Sequence, residues 1–261
     1  MGKNRLSGVK GILFDLDGVL FVGKDPIEGA INVVKSVRSK GIVCRFVTNT
    51  STLSISSLQN KLMDLGFEVN ENEIISAPQA ALLYLKSLNN VTVRLVLADD
   101  VKTDFHSLNQ RDDNPDYILI GDIGKNWSYE LLNSIFSSLT HGSRLIAIHK
   151  NRFWQTEQGL QLDIGAFVTG LEYASGLDAM LIGKPSEAFF KMALNSTGLS
   201  PEEVIMVGDD IDSDIGGAQQ IGLRGVLVRT GKFRKDYFER SSIKPERVID
   251  SVSDLLEDLS I

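Results

Sequence analysis

Short apolar runs, each ending at polar residues and separated from the next by a helix-length amphipathic stretch, recur from residue 11 onward. Strands joined by helix-length connections pair in parallel, and parallel strands covered on both faces read as near-continuous apolar runs. Gly11-Ile-Leu-Phe-Asp-Leu-Asp-Gly-Val-Leu20 is the clearest case: the run stops at Asp15 and Asp17, with Gly18 behind them. Residues 28–40 carry Ile31, Val34 and Val37 at helical spacing, and Gly41 stops the pattern. Residues 42–47 read as a second strand. The polar stretch 48–52 ends it and caps a helix over 54–65.

A second set of elements begins near residue 78. The pattern predicts helices over 78–88, 128–139 and 166–174 and strands over 91–97, 117–120 and 145–148. Residues 180–182 read as a short strand returning to the first set. Helices over 186–197 and 215–221, strands over 204–207 and 226–228, a short strand at Val248 and Ile249, and a last helix complete the chain. The expected fold is α/β: a three-layer core with a parallel sheet, built from 1–78 and 178–261, with a second α/β domain, 79–177, inserted in it. A length of 261 residues accommodates two such domains.

Charge and cysteine content narrow the setting. A net charge of −7 argues against a general nucleic-acid binder, which carries a basic surface. The single Cys44 permits no internal disulfide and lies in an apolar run, as a core residue in a reducing compartment does. No stretch approaches the ~18 apolar residues of a membrane span. The first ten residues lack the apolar segment of a signal peptide. A soluble cytoplasmic protein with no membrane partner is expected.

Four polar groups follow apolar runs in chain order: Asp15 with Asp17, Thr48, Lys184, and Asp209 with Asp210, Asp212 and Asp214 behind it. Residues beyond parallel strands emerge at the sheet's carboxyl edge, where open α/β folds bind ligands. If the strands are neighbours, these groups converge. Asp15, Asp17, Asp209 and Asp214 bring up to four negative charges against one from Lys184. A hard divalent cation would offset them, and all-oxygen ligands favour Mg²⁺. A site with Mg²⁺, a lysine and a hydroxyl suits a phosphoryl group, and a carboxylate there can act as nucleophile. Other readings of the acidic run fail. A calcium loop beginning at Asp210 would need Gly and Glu where Ile215 and Ile221 stand.

Asp15-Leu-Asp17-Gly-Val, Thr48, Lys184-Pro and Gly208-Asp-Asp-Ile-Asp-Ser-Asp214 together resemble the four motifs of the haloacid dehalogenase superfamily, in the right order and over nearly the whole chain. The short loop after the first motif and the large insert between Thr48 and Lys184 resemble its NagD-like subfamily with a C2-type cap. Residues 128–132, 149–154 and 165–168 resemble cap motifs of the haloacid dehalogenase-like hydrolase domain-containing protein 2 type. The resemblance implies a Mg²⁺-dependent phosphatase acting on a small phosphorylated substrate. Asp15 would be nucleophile and metal ligand. Asp17 would protonate the leaving group, activate water and bind the metal through its backbone carbonyl. Thr48 and the backbone at Asn49 would hold phosphoryl oxygens. Lys184 would stabilise phosphoryl charge and orient Asp15. Asp209 would be the side-chain metal ligand, chosen over its neighbours Asp210 and Asp214, with Asp214 in support. Oligomeric state stays open, a homodimer being one outcome. A mutase-type phosphotransferase usually carries a helical cap after the first motif, for which the loop behind Gly18 is too short. A dehalogenase has less use for Asp17, and a catalytically silent binding protein has no use for the full set.

Overall fold

The protein is described by a computed structural model covering residues 6–156 and 159–259, with 154–156 and 160 described by backbone alone. Its first sheet has six strands in the order Arg247–Ile249, Arg224–Val228, Val204–Gly208, Gly11–Asp15, Val43–Thr48 and Ile74–Ser76. Gly11–Asp15 lies parallel to a neighbour on each side and is buried along its whole length, which is why its sequence is an unbroken apolar run. Phe14 stacks on Phe46 across the strand pair at 6.2 Å between ring centroids. The register has a chemical consequence. Phe14 pairs with Val207 and Asp15 with Val47, so Asp15, Thr48 and Asp209 leave the sheet at nearly one level. The helix Ala30–Ser39 buries Ala30, Val33, Val34 and Val37, the stripe read from the sequence.

The second sheet has five strands in the order Met180–Leu181, Arg144–Ala147, Tyr117–Ile120, Thr92–Val96 and Asn109–Gln110, all parallel. Ser76 and Ser128 start the helices Ala77–Ser87 and Tyr129–Thr140 by accepting hydrogen bonds from Gln79 and Leu131 backbone N–H groups. Tyr129–Thr140 and Gly165–Ser175 pack on the sheet, and Ile118, Ile120, Ile135, Leu139, Val168 and Leu171 are part of the shared core.

The chain divides into two compact units. One comprises Met1–Thr48, Gln59–Ile75 and Lys184–Ile261, and the other Asn49–Leu58 and Ser76–Gly183. Side chains explain why Asn49–Leu58 joins the second. Asp100 and Asp104 accept from the backbone N–H groups of Ser54 and Ile55 at 2.7 and 3.0 Å, and Ser51 Oγ accepts from Asp122 N at 3.0 Å. Among the described residues no helix is long and apolar enough to cross a membrane.

Two expectations need correction. Met180–Leu181 does not return to the first sheet; it pairs with Ile146 and Ala147 at the edge of the second. The ladder runs on as Ile182 N and Gly183 N donate to Ala147 and Ile148 carbonyls at 3.1 and 2.8 Å. Residues 215–221 are not one helix. Asp210 accepts from the N–H groups of Asp212 and Ser213, both at 3.0 Å, and opens a wide helical turn over Ile211–Gly216. Only the short helix Gly217–Gln219 follows. The antiparallel hairpin Phe153–Thr156 with Gly159–Leu162 has no counterpart in the sequence reading.

Cys44 is buried, and burial pushes its thiol up to about 11. The native protein will therefore resist a thiol-alkylating reagent at pH 8, and the urea-unfolded chain will take up one equivalent. Rapid labelling of the folded protein, read by mass, would contradict this placement.

Candidate active site

Asp15 ends the central strand, and Lys184 meets it there. The Lys184 ammonium donates to Asp15 Oδ1 at 2.5 Å and to Asp214 Oδ1 at 2.7 Å, so one buried cation joins two buried carboxylates. Asp214 reaches this position from the wide turn after the Val204–Gly208 strand. Its other oxygen accepts from the backbone N–H groups of Asp209 and Asp210 at 3.2 and 3.1 Å. Asp209, the first residue beyond that strand, is buried, and its Oδ2 accepts from Lys232 N at 2.6 Å. Ligand oxygens of Asp15, Asp209 and Asp214 all lie within 4.8 Å of one another.

Such crowding has an electrostatic signature. Burial pushes the Asp15 carboxyl above the ordinary carboxylate range; Lys184 pulls it down, and Asp17 adds a smaller upward push. Asp209 is pushed well above that range, by burial first and then by Asp15 and Asp214. Asp214 rises to about 6, again mainly through burial, with Lys184 opposing. Burial works against the charged form of Lys184, but Asp15 and Asp214 prevail and hold it protonated. Three buried carboxylates thus bring more negative charge than Lys184 and the nearby Lys232 offset. Asp214 has both oxygens engaged. Asp15 Oδ2 and Asp209 Oδ1 accept no hydrogen bond among the described residues, and they are hard oxygen donors that fit a hard divalent cation.

Residues 12–111 match the family described as Haloacid dehalogenase-like hydrolase, and residues 181–255 match one described as HAD-hyrolase-like. The chain is 36% identical to the phospholysine phosphohistidine inorganic pyrophosphate phosphatase of Bos taurus, over 97% of this chain and 95% of that one. The chain belongs to the haloacid dehalogenase-like hydrolases. A second relative, the haloacid dehalogenase-like hydrolase domain-containing protein 2 of Bos taurus, is 40% identical over 87% of this chain and 86% of its own. The fold of this hydrolase matches NagD from E. coli K-12 with a TM-score of 0.84 and 24% identity, covering 94% of this chain and 98% of that one.

The hydrolase places the remaining expected residues as follows. Thr48 is buried at the end of the strand beside Asp15. Asp17 is exposed, two residues past the buried Asp15. Asn49 is half-buried and lies in the second compact unit, where its Oδ1 packs against the backbone of Gly183. Asp210 caps the wide turn, and the exposed Asp212 accepts from the Tyr237 hydroxyl. Lys232 is not among the site residues read from the sequence. Burial lowers and the charges of Asp209 and Asp15 raise its ammonium, with a net rise, and its backbone N–H holds Asp209. A backbone donor carries no signal in residue type.

Proposed function

We propose that this hydrolase is a Mg²⁺-dependent phosphatase of small phosphorylated metabolites that works through an aspartyl-phosphate. The observation that supports it best is the buried Asp15 at a strand end, oriented by the Lys184 ammonium beside a second acidic group, Asp209. Asp15 attacks phosphorus with a carboxylate oxygen while the bond from phosphorus to the leaving oxygen breaks. Asp17 donates its proton to that oxygen. It then accepts a proton from a water that attacks phosphorus, releasing inorganic phosphate and restoring Asp15. Thr48 and the backbone at Asn49 hold phosphoryl oxygens, and Lys184 stabilises their charge. Asp15, Asp209 and the Asp17 carbonyl hold Mg²⁺, which supplies charge neutralisation at the phosphoryl group, while Asp214 fixes Lys184.

The proposed division of labour gives the chemistry to the unit that carries Asp15, Lys184 and Asp209, and substrate selection to the other unit as a C2-type cap. A cytoplasmic setting goes with it, given a lone buried thiol. One relative's name couples phosphoamidates and pyrophosphate, which widens the proposed substrates from phosphate esters to P–N and P–O–P bonds. The test is a panel of an aryl phosphate, sugar phosphates, phosphoglycolate, pyridoxal phosphate, pyrophosphate and phosphoamino acids, with Mg²⁺ or with a chelator. Mg²⁺-dependent phosphate release from at least one is expected. No turnover across the panel would favour a binding protein that kept the fold.

Asp17→Asn separates the roles of the two aspartates. Turnover is expected to fall roughly 10²–10⁴-fold, the usual contribution of a general acid and base. Mg²⁺ binding, measured by calorimetry, is expected to persist because the metal contact is through backbone.

A further inference from the structure

Three backbone features converge on one oxygen, Asp209 Oδ2. Lys232 N donates to it at 2.6 Å. Gly18 and Gly231 close in on it so tightly that a Cβ on either would collide with that oxygen. Such a Cβ would also lie 2.8 Å from the other glycine's Cα in one case and 2.6 Å in the other. Both glycines have positive φ, +88° and +59°, which L side chains rarely adopt. The two segments are fastened together, because the Thr230 hydroxyl donates to the Gly18 carbonyl. A tight turn, closed by Phe233 N donating to the Thr230 carbonyl at 3.3 Å, then aims Lys232 N inward.

We propose that the turn formed by residues 230–233 is a positioning clip for Asp209. It engages Oδ2 and so fixes the carboxylate with Oδ1 presented to the cation. Thr230 and Gly231 are positioning residues that act through Asp209 and touch neither substrate nor metal. The proposal rests on Asp209 being a cation ligand. A carboxylate free to rotate would offer a cation a less defined geometry, and groups that orient metal ligands typically change affinity about 10–100-fold when lost. Thr230→Val keeps the shape and removes the hydroxyl that ties the turn to Gly18. Thr230→Ser keeps the hydroxyl. Gly231→Ala forces the turn off Asp209 altogether.

The test is calorimetric titration of Mg²⁺ into the substrate-free full chain, with thermal melting alongside. Thr230→Val is expected to weaken Mg²⁺ binding several-fold and Gly231→Ala about tenfold or more. Thr230→Ser is expected to bind as the parent does. In kinetics, Thr230→Val should raise the Mg²⁺ concentration needed for half-maximal activity and leave KM for an aryl phosphate unchanged at saturating Mg²⁺. Parent-like Mg²⁺ binding in Thr230→Val, together with loss of binding in Asp209→Asn, would overturn the clip and spare the metal assignment. Parent-like binding in Asp209→Asn itself would overturn both. The Thr230→Val and Thr230→Ser pair decides the matter even if Gly231→Ala fails to fold.

Discussion

Replacing Asp15 with Asn will remove phosphatase turnover while leaving the protein folded. The amide keeps the volume of the carboxylate, so the strand and its neighbours need not move. It is a far poorer nucleophile and cannot form the acyl phosphate. Loss of a group that bonds to the substrate costs roughly 10⁴-fold or more, about 5 kcal/mol in the barrier. Stability should hold or rise, because the substitution removes one of three crowded buried charges and Asp214 still pairs with Lys184. Assay of the purified variant with an aryl phosphate, beside a thermal melt, checks both halves. Retained turnover would exclude Asp15 as nucleophile.

Lys184→Met is expected to damage activity and stability together. Lys184 is the one cation hydrogen-bonded to both Asp15 and Asp214 among the described contacts, and all three side chains are buried. Methionine fills similar space and leaves two carboxylates facing each other without it. Breaking a buried pair by removing one partner costs about 3–5 kcal/mol. For a chain of this size that lowers the melting temperature by on the order of 10 °C. A second substitution, Asp214→Asn, should recover part of the lost stability by removing one stranded charge, and should recover no activity. A Lys184→Met protein that melts with the parent would mean that the bridge contributes little to the fold.

Much of this site was legible because its chemistry sits at the ends of apolar runs. Asp15 ends one buried strand and Asp209 follows another, and the parallel register brings both to one edge of the sheet. Lys184 was legible as a residue and not as a topology. Two apolar residues at Met180 and Leu181 suit either sheet, and only the pairing with Ile146 and Ala147 decides between them. The run from Asp210 to Asp214 disguised a wide turn, because capping by the Asp210 side chain depends on local hydrogen bonds that apolar spacing does not report. Asn49–Leu58 joins the second unit through Asp100 and Asp104, whose partners lie more than forty residues away in sequence. The hold on Asp209 from Lys232 is a backbone contact, invisible to any reading based on side-chain type.

The central claim is that phosphorus passes through Asp15, and rapid acid quench with peptide mass analysis tests it most directly. An aryl phosphate needs little help from an acid to lose its phenolate, so Asp17→Asn should still form the acyl phosphate and be slow to hydrolyse it. The account predicts a burst of phenolate equal to the enzyme, and one phosphoryl group on the peptide that contains Asp15. Phenolate and phosphate released in step, with no phosphoryl group on that peptide, would contradict it.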